Sequence, residues 1–402
     1  MSEITQRNRA EVAVVGGGPA GLLTAIALTA AGVETVLVAP AAEPDHRTTA
    51  LLAGSVAALT ALGVWQACLP HAAPLRRIRI VDDTARLLRA PEVAFAAAEI
   101  GLDAFGYNIE NRSLVATLET HAGNLKLPRI AANALAVRSD ATGVTITHAG
   151  GELRARLAIG ADGARSLCRS AAGIATRRRS YRQAALTLNL AHARPHEDTS
   201  TEFHTARGPF TLVPLPGRRS SLVCVLDPDN ARKLAAMTDA ELSEAIERRA
   251  HSLFGRMRVE AGRGFFPLAI ESAECLARAR IVLVGEAAHV VPPIGAQGLN
   301  LGLRDAAAIT DIVVEARRQN RDIGAADMLA RYEAARRPDV MSRTLAVDLL
   351  NRSLLTGLVP AHGLRGLSLY LVEHIGPLRR ALMREGVAPA AAQPRLMRGE
   401  RA

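Results

Sequence analysis

The sequence predicts an α/β fold in which a parallel, doubly wound sheet is interrupted by a second region of mixed sheet and helix. Three observations predict it. Residues 12–15, 158–160 and 281–284 read as buried strands, each running into a turn of small residues; short unbroken apolar runs are what a sheet covered on both faces requires. The first run is followed by a helical stretch at 20–31 and a second strand at 35–38, which completes a βαβ unit. Between the second and third turns, residues 184–191, 210–215 and 221–226 have strand character, with Pro216-Gly217 as a turn between the last two.

The remaining elements follow in order. Thr238 and Glu241 form a T-x-x-E capping pattern ahead of a helix running to about Phe254, so the inserted region mixes sheet and helix. Beyond Leu299 the pattern is helical, and residues 388–402, rich in Ala, Pro and Arg, read as a flexible tail. The 402 residues allow two or three domains. The expected division is a discontinuous nucleotide-binding domain (8–75, 100–180 and 270–345), a substrate-binding sheet domain (76–99 and 181–269), C-terminal helices (346–387) and the tail.

Composition excludes several function classes. Aromatic residues make up only 3% of the chain, which leaves little material for stacking on nucleic acid bases. The net charge of +10 comes from scattered residues and short runs such as Arg177, Arg178 and Arg179. This fits a solvated surface, or attraction to an anionic membrane or a phosphorylated cofactor. Cys68, Cys168, Cys224 and Cys275 are isolated, which argues against a disulfide framework or a metal site and for a reducing compartment. Residues 1–11 are polar and lead directly into a strand, so the expected location is cytoplasmic. The apolar stretch 12–31 is broken by Gly16, Gly17, Gly18, Pro19 and Gly21, unlike a spanning helix.

Gly16-x-Gly18-x-x-Gly21 follows a strand and opens a helix. Bare backbone nitrogens and the positive end of the helix dipole can there meet a pyrophosphate, as in a Rossmann-like dinucleotide site. The carboxylate that such a site places at the end of the second strand, to hold the adenosine ribose, is replaced by Ala39, followed by Pro40. Glu43 or Asp45 takes over that contact only if the following loop folds back.

Two further stretches carry a resemblance. Gly160-Ala161-Asp162-Gly163-Ala164-Arg165-Ser166, and Gly285-Glu286-Ala287-Ala288-His289 continuing to Pro293, Gln297, Gly298 and Asn300, join the first motif in resembling the single-component FAD-dependent aromatic hydroxylases. Within that group, Gly298 through Asp305, together with Gly106-Tyr107 and the run from Glu110 to Leu114, look like the ubiquinone-biosynthesis hydroxylases, over about residues 12–348. The resemblance implies a glutathione-reductase-like FAD-binding domain with an inserted substrate domain. It further implies a monooxygenase that hydroxylates an aromatic ring, a polyprenylated phenol of ubiquinone biosynthesis, through a flavin hydroperoxide. NAD(P)H or a protein donor would be the reductant.

The resemblance also implies the site. Gly16, Gly18 and Gly21 meet the pyrophosphate, Arg47 and Asn111 lie close to the cofactor, and Asp162 and Arg165 stand near the pyrophosphate and the nicotinamide approach. Glu286, in place of the commoner aspartate, binds the ribityl hydroxyls; Gly298, Leu299 and Asn300 meet the ring, with Pro293 and Gly298 nearest to it. No catalytic acid–base residue is implied, because the flavin carries the chemistry, and His289 reads as structural. Arg47 also reads as a surface arginine and Asn111 as a helix cap. Phe203, Phe210, Leu212 and Pro214 match the family's substrate-facing segment and equally read as core. From 349 to 382, apolar residues including Val359, Tyr370 and Val372 alternate with Arg352, Arg365, Arg379 and Arg380. This pattern fits a peripheral membrane contact on the inner face, in or out of a biosynthetic complex, or a helical cap. Two other readings share these motifs: an FAD-dependent isoprenoid reductase and a non-catalytic accessory subunit of a quinone-biosynthesis complex.

Overall fold

A computed structural model of the chain describes residues 8–42, 45–84, 91–355, 375–387 and 393–401. Its first sheet is centred on β1 (Arg9–Val15), which runs parallel to β2 (Thr35–Val38) on one side and to the strand Gly151–Gly160 on the other. Ile281–Leu283 continues the parallel ladder beyond Gly151–Gly160, and Arg129–Ile130 continues it beyond β2. Val12, Val14, Val36, Leu157, Ile159, Ile281 and Leu283 are buried, which is why these strands read as apolar runs without alternation. The helix α1 (Pro19–Ala30) crosses from β1 to β2 and packs against the helix Gln297–Arg318. Gly18 is its N-cap and Pro19 its first residue, a start that needs no amide hydrogen from proline.

A second sheet of nine strands holds the middle of the chain. Its path runs through His289–Val290, Gly264–Ala273, Thr176–His192, Arg219–Leu226, Gly208–Leu215, Thr199–Thr205, Arg77–Asp83 and Val93–Ala96. All neighbours are antiparallel except Thr199–Thr205 with Arg77–Asp83. The strand regions expected at 184–191, 210–215 and 221–226 all lie in this sheet, with Gly217 at φ +80° in the turn. Helices Pro228–Ala235 and Asp239–Arg249 cover one face, joining Leu234, Leu242 and Ile246 to Leu188, Leu222 and Cys224 in a second core. The Thr238 and Glu241 pair forms the expected capping box: Thr238 Oγ1 accepts from Glu241 N, and Glu241 Oε2 accepts from Thr238 N at 2.9 Å. A small third sheet, β3 (Thr48–Leu52) with Gly106–Glu110 and Ala72–Pro74, was not read from the sequence.

The C-terminal region differs from expectation in two ways. A single helix, Ala326–Leu355, runs through residue 346, where a separate segment was expected to begin, and carries Pro338 inside it. The helix Gly376–Val387 follows later in the chain. Val359, Arg365, Tyr370, Val372 and the side chain of Arg352 lie outside the described residues. The described part of the expected flexible tail is packed. Leu396 and Met397 are buried in the first core, against α2 (Ala53–Ala61) and the helix Gln297–Arg318. Arg395 N donates to Asp311 Oδ2 at 2.8 Å. Two adjacent apolar side chains were too short a run to show a period, yet burying both contributes enough to hold the turn in place.

Candidate functional site

The three glycines of the first motif meet different constraints. Gly16 turns the chain at φ +116°, and a Cβ there would fall 2.2 Å from the carbonyl oxygen of Ala161. A Cβ on Gly21 would fall 2.1 Å from the Gly16 carbonyl oxygen, so this position lets α1 approach the turn. Gly18 is different: it is exposed, has φ −72°, and a Cβ there would meet no protein atom within 4 Å. The space beside Gly18 is therefore free for a ligand, at the start of a helix with no side-chain cap. The geometry fits a pyrophosphate.

Asp162 and Arg165 stand on the adjoining turn, brought against Gly16 through Ala161. Both carboxylate oxygens of Asp162 are engaged locally: Oδ1 accepts from Ser166 Oγ at 2.6 Å and Oδ2 from Cys168 N at 3.0 Å. Asp162 thus shapes the turn, while Arg165 is exposed at its tip. Arg169, which the sequence reading passed over, ties this turn to the next motif by donating to Ala164 O at 2.7 Å and Ala287 O at 2.9 Å.

Arg47, Asn111 and Glu286 converge from three elements. Asp45 accepts from Arg47 Nε and Nη2 and from Asn111 Nδ2 at 2.9 Å, and Arg47 O accepts from Asn111 N. The hydrogen bonds to Asp45, despite partial burial, and the nearby charge of Glu286 push the Arg47 guanidinium above its usual value. Asn111 is the first residue of the helix Asn111–Asn124, but its side chain reaches Asp45 and does not cap that helix. Its Oδ1 is buried without a partner. Because Asp45 is engaged here, it does not stand in for the carboxylate missing at Ala39; Glu43 lies outside the described residues. Glu286 is exposed beyond the end of Ile281–Leu283.

The last motif forms the opposite wall. After Ile281–Leu283 the chain makes a short turn, Gly285–Ala287, and then leads through Pro293 to the helix Gln297–Arg318. That helix starts after Gly295 and Ala296, both at positive φ, and has no side-chain cap. Its first amide hydrogens, on Gln297, Gly298 and Leu299, are open to a negatively charged group. Asn300 departs from its expected role. Its Oδ1 accepts from Leu52 N at 2.9 Å and Ser55 Oγ at 2.6 Å, while Nδ2 donates to Ala50 O and Ala296 O. All four capacities of the amide are used, three to clamp β3 and α2 to this helix and one on Ala296 O at its start, so the side chain has none left for a ring.

Behind the motif lies a buried ionic network centred on Asp305. Its carboxylate accepts from Gly285 N at 3.1 Å and Arg336 Nε at 2.7 Å, and His289 Nε2 lies 2.6 Å from Oδ2. Burial would raise this carboxyl, but the charges and hydrogen bonds of His289 and Arg336 hold it well below the usual carboxylate range. His289 is fully buried against Asp305, which fits the structural reading.

The substrate-facing assignment is corrected by the second sheet. Phe203, Phe210 and Leu212 are buried in the core under the two helices, and Phe203 and Phe210 meet edge to face. Pro214 is also buried, and its carbonyl accepts from Asn108 Nδ2 at 2.9 Å. Strand alternation turns their neighbours Thr211 and Val213 to the other face, and there Phe266, 38% exposed, lies under the Arg47 guanidinium at 5.6 Å. Alternating hydrophobic residues cannot show which face of a sheet is covered by helices.

Two variants probe this site. Gly18→Val is expected to fold, since its Cβ meets no protein atom, yet to be purified without cofactor; a normal FAD content would place the pyrophosphate elsewhere. Asp305→Asn is expected to lose about 3 kcal/mol of stability at pH 7, because buried Arg336 then keeps, among the described residues, only Asp339 as a charged partner. Because the folded Asp305 value is depressed, its contribution is fully present above the unfolded value of about 4. It is lost as pH falls from there through the folded value. The difference between parent and variant in urea unfolding should narrow below about pH 4.

Comparison with known proteins gives the family. An FAD binding domain family model matches residues 9–345. The chain is 36% identical to ubiquinone hydroxylase UbiL of Rhodospirillum rubrum, over 97% of this chain and 93% of that protein. It is 32% identical to 3-demethoxyubiquinol 3-hydroxylase of Escherichia coli, over 93% of this chain and 97% of the relative. The fold matches the crystal structure of p-nitrophenol 4-monooxygenase PnpA from Pseudomonas putida with a TM-score of 0.78 at 21% identity, covering 96% of this chain and all of that one. It matches a single-residue variant of Klebsiella pneumoniae HpxO complexed with FAD at 0.75 and 20% identity, covering 95% and 99%. With a family match over most of its length and an open, glycine-lined turn suited to a pyrophosphate, the chain belongs to the FAD-binding family of flavin-dependent aromatic hydroxylases.

Proposed function

We propose that this FAD-dependent monooxygenase hydroxylates the ring of a polyprenylated phenol or quinol in ubiquinone biosynthesis, with NAD(P)H or a protein donor as reductant. The observation that carries the proposal is the 36% identity to a ubiquinone hydroxylase across nearly the whole of both chains. The isoprenoid-reductase and accessory-subunit readings have no comparable support, since the relatives compared above are hydroxylases.

Bound FAD supplies the electron store and the activation of oxygen; the chain supplies position, charge and exclusion of water. Gly16, Gly18 and Gly21 admit the pyrophosphate to the start of α1, with Arg165 and Arg47 as nearby positive charges. Glu286 would accept from the ribityl hydroxyls, and Asn111 would offer its unpaired Oδ1. The amide hydrogens of Gly298 and Leu299 would stabilise negative charge on a bound flavin, and Pro293 would help to hold the ring. The aromatic substrate rests against the open face of the second sheet, around Phe266, Val223 and Val213. No side-chain acid or base is required of these residues.

Among the described residues no single helix is long and apolar enough to cross a membrane. Met341, Leu345 and Leu349 nevertheless form an exposed stripe at four-residue spacing, and Ile375, Leu378 and Leu382 form another. These stripes support a peripheral landing site on the inner face of the cytoplasmic membrane, where a polyprenyl tail resides, alone or within a biosynthetic assembly.

Purified protein is expected to show a two-band flavin spectrum with about one FAD per chain, and oxygen uptake stimulated by polyprenyl phenols. A flavin-loaded protein whose oxygen uptake ignores such phenols would refute the substrate assignment. Leu345→Glu with Leu349→Glu is expected to reduce co-sedimentation with anionic vesicles severalfold, whereas unchanged sedimentation would remove the landing site.

A further inference from the structure

The end of β2 lacks the carboxylate that a dinucleotide site uses for the adenosine ribose, and the structure fills that place with an ion pair from elsewhere. Arg129, on the parallel neighbour of β2, folds its guanidinium over the end of that strand. Nε donates to Ala39 O at 3.2 Å, and Nη2 donates to Pro40 O. Nη2 also lies 3.7 Å from where a Cβ on Gly17 would be. The group therefore borders the glycine turn on the side where the ribose next to the pyrophosphate is held in this fold.

A guanidinium offers only donors, and a ribose diol held by a carboxylate needs an acceptor. Glu119 provides one. It projects from the helix Asn111–Asn124, and its Oε2 pairs with Arg129 Nη1. Its other oxygen, Oε1, is buried without any hydrogen-bond partner. An unpaired buried carboxylate oxygen is costly and calls for a donor. Asn111 opens the same helix beside Arg47 and Asp45, about 12 Å away at helical rise. One helix thus runs from the flavin edge of the site towards its adenosine end.

We infer that Glu119, held in place by Arg129, accepts the adenosine ribose hydroxyls and replaces the carboxylate missing at Ala39. Glu119 is then a binding residue for the dinucleotide half of FAD, supplied by a helix and not by β2.

The test is FAD affinity, measured by quenching of flavin fluorescence on reconstitution, with FMN as a probe that lacks the adenosine. Glu119→Ala is expected to weaken FAD binding about tenfold or more and to leave FMN affinity unchanged. Glu119→Gln, which keeps size and one acceptor while losing the charge, should fall between parent and Glu119→Ala, and it serves as the readout if the alanine variant folds poorly. Adding Ala39→Glu to Glu119→Ala should restore most of the FAD affinity, since an acid then stands at the end of β2 within reach of Arg129. FAD affinity unchanged in both single variants would overturn the inference. So would a parallel loss for FAD and FMN, which would make Glu119 a packing residue of its helix.

Discussion

The flavin side of this molecule depends on one buried carboxylate. Asp305 sits on the helix Gln297–Arg318 and is fully enclosed, a position in which an ionised group is strongly disfavoured unless its oxygens are bonded. It is bonded to the Gly285 amide, to His289 and to Arg336, which belong to the motif turn, the following segment and the helix Ala326–Leu355. Three separate pieces of chain are thereby held to one another. The same helix that carries Asp305 presents its uncapped N-terminus to the cleft, so the anchor also sets where that positive end points.

A second clamp works at the first turn of that helix. Asn300 uses three of its four amide bonds on β3 and α2 and the fourth on Ala296 O of its own helix, fixing the strand that follows Arg47 against the start of the helix. Asp45 similarly joins Arg47 to Asn111. Residues that a motif reading assigns to the cofactor are in several cases residues that hold other residues in place. A buried amide or carboxylate left unpaired is costly, and the protein groups at hand satisfy most of their donors and acceptors first. The groups left open include the space at Gly18, the first amides of Gln297–Arg318, and two side-chain oxygens, Asn111 Oδ1 and Glu119 Oε1.

Much of the fold was legible. Of the five strands in the parallel ladder, those at 12–15, 158–160 and 281–283 announced themselves by unbroken apolar runs ending in small residues, and Gly16 and Gly21 were demanded by carbonyl oxygens a little over 2 Å from their would-be Cβ atoms. The capping box at Thr238 was equally local. Part of the site was legible as a set of neighbours, since Arg47 and Asn111 meet through Asp45 and the Glu286 charge acts on Arg47, but not as a set of roles. Phe203, Phe210 and Leu212 lie on the helix-covered face, and the open face belongs to their alternates and to Phe266, in a strand some fifty residues later in the chain.

By itself the sequence determined what depends on short range: strand and helix periods, turns that only glycine permits, and a pyrophosphate turn. Only the tertiary structure decided which side of the second sheet its helices cover and which they leave open, that Leu396 and Met397 pack into the core, that Asp305 joins three segments, and that Glu119 and Arg129 stand where β2 lacks an acid. These are contacts between residues tens to hundreds of positions apart. Burial, charge pairing and unsatisfied hydrogen bonds become defined only when such residues are brought together, and no local pattern encodes the partner.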